Sequence, residues 1–322
     1  MAASWQSFWI ERLVRARMRP HALRPIDPQW VRTNMGRPRV ARRLMARATG
    51  ARFALLPPQG SWVGGERLQS TMFSAAVSPT VLYLHGGGYI GCSPETHRSL
   101  AGALAQRIGG EVYVPAYRLA PEHRFPDALD DALGAYRHVL DLGVAPDQMV
   151  VAGDSAGGGL ALSMLLAARD RGWPLPAAVV TYSPWTDLAA TGASLEENSD
   201  RCAMFAAITI RRAAAFYVGD ADPRSPYVSP LYGDFRGFPP MLVHASTDEV
   251  LRDDSVRLVE RARAAGVPVE LRMWPRVPHV WQFFSAVLPE ARESLADTQR
   301  FVLDHLAARS ARVDVPSTPR PR

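Results

Sequence analysis

The chain holds 322 residues, 47% of them hydrophobic, enough to bury a large core in one or two domains. Apolar runs such as residues 81–84 and 178–182 fall well short of the roughly 18 residues that a membrane span requires, so no transmembrane segment is expected. The formal charge is +6 without a single lysine, and much of the arginine lies in the first fifty residues, where Arg12, Arg15, Arg17, Arg19, Arg24, Arg32, Arg37, Arg39, Arg42, Arg43 and Arg47 face only Glu11 and Asp27. Such a stretch suits nucleic acid, an anionic membrane surface or a solvated helix face; the last is the favoured reading, and no nucleic-acid partner is expected.

The opening "MAASWQSFWIERLVRARMRP" places charge where a secretory segment needs an uninterrupted apolar run, so a cytoplasmic location is expected. Cys92 and Cys202 are too few for a disulfide framework and lack metal-ligand spacing, which predicts two free thiols. From residue 52 onward, strand-like segments recur: "RFALLP", "TVLYLHG", "EVYVPAY", "MVVAGD", "AVVTYSP", "MLVHAS" and "VELRMW". Helix-like spacing fills residues 99–108, 126–142, 156–169 and 253–265 between several of them. The alternation predicts an α/β fold, a mostly parallel sheet with helices on both faces and functional loops at the carboxyl ends of its strands. Residues 185–236 break the rhythm without a clear strand and are expected to form an inserted helical lid. The Pro- and Arg-rich tail from Ser310 is expected to be disordered.

Chemistry concentrates at four strand ends. Gly153, Asp154, Ser155, Ala156 and Gly157 spell G-x-S-x-G between a strand and a helix, where a tight turn lifts a nucleophilic hydroxyl clear of the sheet. The bland alternative is a helix N-cap, a role that Ser and Asp both fill. "LYLHGGGYIG" places Gly86, Gly87 and Gly88 directly after another strand, and with the N–H of Ala156 they are candidate oxyanion donors. His85, just before them, is read as a brace for that loop.

The base is sought near the end of the chain, where His279 follows "VELRMW". Its orienting acid is expected just past "MLVHAS", at Asp248. The order Ser155, Asp248, His279 is the one this kind of site carries. Competing groups are read otherwise: Asp253 and Asp254 as caps of the helix that begins there, Glu249 as a neighbour of the strand end, His97, His123 and His138 as structural. His279 would take the Ser155 proton and return it to the leaving alcohol, with an acyl-enzyme between.

The stretches "HGGGYIG", "YRLAPEHRFPDALDD", "GDSAGGGLA" and "DEVLRDDS" with "PHVWQFF" together resemble the hormone-sensitive-lipase-like esterases, the bacterial family IV branch of the α/β-hydrolase superfamily. The resemblance covers roughly residues 81–307. It implies a central sheet of about eight strands under a helical cap: residues 1–50 and 185–236 as the two cap segments, 51–184 and 237–309 as the catalytic domain, 310–322 as the tail. It further implies that Trp5, Phe8, Trp9 and Leu13 turn an apolar face towards the acyl site or the second cap segment, and that Tyr117, Arg118 and Glu122 support the glycine loop. Ser246 stands where relatives often carry Gly.

The implied activity is hydrolysis of short- to medium-chain acyl esters without cofactor or metal. A lactone hydrolase or a deacetylase acting on a small hydrophobic metabolite is the alternative, and a ligand-binding receptor on the same fold the non-enzymatic one. The resemblance also leaves a homodimer open.

Overall fold

The computed structural model describes residues 3–35, 40–74 and 78–313. Eight strands form one sheet in the order β1-β2-β4-β3-β5-β6-β7-β8. They are β1 (Arg52–Leu56), β2 (Gly65–Gln69), β3 (Thr80–Leu84), β4 (Glu111–Pro115), β5 (Met149–Asp154), β6 (Ala178–Tyr182), β7 (Met241–Ser246) and β8 (Val269–Trp274). The pairs β1/β2 and β2/β4 are antiparallel and all the others parallel.

Seven of these strands coincide with the apolar runs of the sequence. The exception is β2, "GERLQ", whose Glu66 is buried because Arg98 clamps it at 2.7 and 2.6 Å. A buried charge needs such a partner, and pattern reading sees only a polar segment.

Successive residues of the central strands point to opposite faces. Leu82, Leu84, Val151, Val179 and Val243 join the core beneath α5 (Asp127–Asp141), α6 (Ser155–Asp170) and α9 (Arg252–Ala264). Val81, Tyr83, Val150, Ala152, Val180 and Leu242 join a second core beneath α4 (Pro94–Ile108) and α10 (Pro289–Val313). With both faces covered, the strands read as continuous apolar runs. Helix α6 is buried from Ser155 to Ala168, so the segment that begins at the G-x-S-x-G turn is also the centre of one core. Helix α10 reaches four residues into the tail expected to be disordered; residues 314–322 lie outside the described ones, as do Arg37 and Arg39.

The N-terminal head forms α1 (Trp5–Ala22), α2 (Pro28–Met35) and α3 (Val40–Ala48), and the 185–236 region forms α7 (Ser194–Glu197) and α8 (Ala207–Val218). The two regions touch. Arg19 donates to Phe205 O at 2.7 Å, Thr209 Oγ1 donates to Ala22 O at 2.6 Å, and Arg212 reaches Leu23 O and Arg24 O. Both also approach the glycine loop. Arg32 of α2 donates to Ile90 O at 3.1 Å, and a Cβ placed on Gly88 would lie 3.8 Å from Ala213 Cβ of α8. The apolar face of α1 runs the other way from the expectation: Trp5, Phe8, Trp9 and Leu13 are exposed rather than turned inward.

Asp253 and Asp254 do not cap α9, whose N-cap residue Leu251 makes no side-chain bond. They anchor the insertion instead. Asp253 accepts from Ser194 N at 2.9 Å, and the fully buried Asp254 accepts from the Thr186 and Asp187 amides at 2.7 and 2.8 Å. Burial, and then the neighbouring Asp187 charge, push the Asp254 carboxyl up to about 8. The folded chain therefore keeps a proton here that the unfolded chain sheds above about pH 4. This contribution to stability is complete at acid pH and is lost as pH rises towards 8, by about 1.4 kcal/mol per unit, and then levels off. Asp254→Asn resembles the protonated acid, so in urea unfolding between pH 5.5 and 8 the wild type should lose stability relative to the variant with that slope, the contributions of the buried histidines cancelling in the difference.

Candidate active site

Ser155 lies at the junction of β5 and α6 with φ of 51°, a left-handed conformation that costs a non-glycine residue about 1–2 kcal/mol. The flanking glycines explain how it is held there. A Cβ on Gly153 would meet Gly157 O at 2.4 Å, and one on Gly157 would meet Leu84 O at 2.1 Å. Ser155 O accepts from Trp185 N at 2.9 Å, while no side-chain capping bond is made at this helix start. Asp154 stands at the N-cap position, yet neither it nor Ser155 caps the helix through its side chain.

Asp154 has a different task. It is buried, lies 3.1 Å from His97 Nε2, and accepts from the Tyr83 hydroxyl at 2.8 Å and the Gly86 amide at 3.0 Å. Burial alone would raise its carboxyl; His97, Tyr83 and the Gly86 amide together outweigh that and hold it below its ordinary value. The Gly86 N–H is thereby committed to Asp154, which corrects its assignment as an oxyanion donor. A donor already bonded to a buried carboxylate is not free to meet a developing charge.

Gly87 and Gly88 have φ of 127° and 63°, and their N–H groups donate to no acceptor among the described residues. A Cβ on Gly87 would strike Gly91 O at 2.1 Å. The Ala156 amide belongs to the first turn of α6, where N–H groups have no intrahelical acceptor. Three of the four expected donors thus remain unspent.

The expected supports divide. His85 stacks on Tyr117 with centroids 4.2 Å apart, and Tyr117 donates to His85 O at 2.5 Å. Burial, and then the nearby His97, drive the His85 ring down to about 3, so it stays neutral. Among the described residues, Arg118 and Glu122 make no hydrogen bond to the glycine loop. Arg118 ties its segment to Asp131 of α5, and Glu122 pairs with Arg32 of α2, which itself reaches Ile90 O.

His279 is nearly buried, and its Nδ1 lies 2.5 Å from Glu249 Oε2. This corrects the assignment of the acid to Asp248. Glu249 is fully buried and its Oε1 accepts from the Ser246 amide at 2.8 Å, so the side chain doubles back across its own turn to reach the histidine. Asn198 Nδ2 fixes that turn through Thr247 O and Glu249 O. Ser246 donates to Val277 O at 2.7 Å and joins the Glu249 turn to the loop that carries His279. Asp248 points elsewhere, to Arg201 at 2.6 Å and the Arg276 amide at 3.0 Å.

A carboxylate only accepts, so Nδ1 carries the His279 proton and Nε2 presents its lone pair. That Nε2 is buried without a hydrogen-bond partner among the described residues. The Phe205 ring stands edge-on to the imidazole at 5.3 Å. Glu11 of α1 lines a shallow indentation beside the pair together with Arg201 and Asp248, so the head borders this flank.

A strained serine at a strand–helix elbow, a glycine loop with unspent amides, and a carboxylate-bound histidine define the class of hydrolases that attack acyl groups. Comparison with known proteins agrees. Residues 81–283 match the family described as alpha/beta hydrolase fold. An acetyl-hydrolase of Streptomyces hygroscopicus is 46% identical over 216 residues, 67% of this chain and 72% of that protein. An esterase of Acinetobacter venetianus is 32% identical over 306 residues, 92% of this chain and 96% of that one. The crystal structure of a hormone-sensitive lipase from a metagenome library superposes with a TM-score of 0.85 at 34% identity, covering 95% of this chain and all of the other. The chain belongs to the alpha/beta-hydrolase-fold family, in its hormone-sensitive-lipase-like branch, and is a carboxylic ester hydrolase. Among the described residues, no helix is long and apolar enough to cross a membrane.

Proposed function

We propose that the chain hydrolyses short-acyl carboxylic esters with Ser155 as nucleophile, His279 as general base and acid, and Glu249 as the group that orients His279. The observation that carries this reading is the buried His279, bonded to Glu249 through Nδ1 and left with a free lone pair on Nε2. His279 takes the Ser155 proton as Oγ attacks the ester carbonyl, and Glu249 stabilises the imidazolium that results. The amides of Gly87, Gly88 and Ala156 receive the oxyanion; each such donor is worth about 10²–10³ in turnover. The tetrahedral adduct collapses as His279 protonates the leaving alcohol. Water, activated by the same imidazole, then hydrolyses the acyl-Ser155 ester and restores the enzyme.

The α1–α3 and 185–236 segments serve as a cap over this site. The preference for short chains is supported by the enclosure of the pair, with Ser155 only 9% and His279 only 5% exposed, and by Phe205 against the imidazole. The acetyl-hydrolase relative points the same way. The test is hydrolysis of p-nitrophenyl esters from acetate to palmitate. Turnover should be highest for acetate or butyrate and fall by about tenfold or more at the long end, as a closed pocket rejects added methylenes. A folded chain inert to the whole series contradicts the proposal, and fastest turnover of palmitate contradicts its substrate class.

A further inference from the structure

We infer that the outward face of α1 docks on anionic phospholipid bilayers. Trp5, Phe8, Trp9 and Leu13 follow one another at helical spacing along that face and are 72%, 51%, 60% and 68% exposed. These are large apolar groups, and their grouping on one helix marks a contact surface rather than scattered exposure. The helix is firmly held on its other side. Ser4 binds Glu290 at 2.6 and 2.9 Å, Ser7 donates to Arg276 O, and Arg15 and Arg19 reach the 200–205 segment. The rings therefore project from an anchored element.

Charge selects the occupant. Arg12 lies over the Phe8 ring at 5.5 Å, and neither it nor the exposed Arg17 and Arg24 has a carboxylate partner among the described residues. Trp, Phe and Leu need an apolar medium, while guanidinium groups beside them need anions at its edge. The boundary between headgroups and acyl chains offers both. A second copy of this chain fits less well, because a two-fold contact through this face brings the same unpaired arginines towards each other. Nucleic acid would satisfy the arginines and leave Leu13 and the tryptophans wet. The surface is a property of the head and does not depend on the assignment of the hydrolytic residues.

The test is co-sedimentation of the full chain with vesicles of phosphatidylcholine alone or of equimolar phosphatidylcholine and phosphatidylglycerol. Binding should appear on the anionic vesicles and weaken by about tenfold or more without phosphatidylglycerol or in about 0.5 M NaCl, as the screening length shrinks. Two variants separate the contributions: Trp5→Ser with Trp9→Ser and Leu13→Ser, and Arg12→Glu with Arg17→Glu. Each should lose about tenfold or more of the vesicle binding while circular dichroism and p-nitrophenyl acetate turnover stay at wild-type levels. No binding to anionic vesicles, or equal binding by wild type and both variants, overturns the proposal. So does a wild-type dimer that the apolar variant turns into monomers without any vesicle binding, since the face is then a subunit contact.

Discussion

Ser155→Ala is expected to lower kcat on p-nitrophenyl acetate by about 10⁶, the loss seen when a hydrolase triad loses its nucleophile. The substitution removes one oxygen and adds nothing. The glycine contacts that hold the turn involve the backbone at positions 153 and 157, not the Ser155 side chain, so thermal melting should stay close to wild type. The amides of Gly87, Gly88 and Ala156 remain in place, so a residue of catalysis above the uncatalysed rate survives. An Ala variant that keeps more than about a hundredth of the wild-type kcat would place the nucleophile elsewhere, since no binding effect alone approaches the triad's share.

Glu249→Gln should cost about 10⁴ in kcat, whereas Asp248→Asn should cost less than tenfold. Gln keeps the length and shape of Glu249, and its amide oxygen can still accept from the Ser246 N–H. What changes is the atom facing His279. An NH₂ group in place of Oε2 donates, so the imidazole must turn to the tautomer with its proton on Nε2, and that nitrogen can no longer take a proton from serine. Asp248 holds Arg201 and the Arg276 amide, and losing one oxygen there loosens the base loop without touching the imidazole. The reverse ranking of the two variants would return the acid to Asp248.

Much of this architecture is legible in the residues, because the parts that demand special backbone geometry leave a compositional mark. Three glycines after β3 and glycines on both sides of Ser155 announce close approaches, and the geometry bears out the crowding at Gly87, Gly153 and Gly157. Strands buried on both faces announce themselves as apolar runs, which is why β3 to β7 are readable and the half-polar β2 is not.

What stays hidden depends on which side chain turns which way. In the doublet Asp248–Glu249, nothing local says that the longer residue folds back over its own turn to reach His279. The doublet itself was the available signal, since both carboxylates follow the right strand. Gly86 looks equivalent to Gly87 and Gly88 until Asp154 is seen to occupy its N–H, and the His97–Asp154–Tyr83 cluster joins residues separated by up to 71 positions. The apolar stripe of α1 is visible as periodicity, yet periodicity marks a face without saying what lies opposite it. Here it faces solvent.

The most direct test of the account is to trap the covalent intermediate. Reaction with a fluorophosphonate ester, digestion and mass spectrometry should find one adduct per chain, on the peptide that carries Ser155, with labelling much slower in Glu249→Gln than in Asp248→Asn. An active enzyme that acquires its adduct on another residue, or keeps full esterase activity without any adduct, would contradict the account.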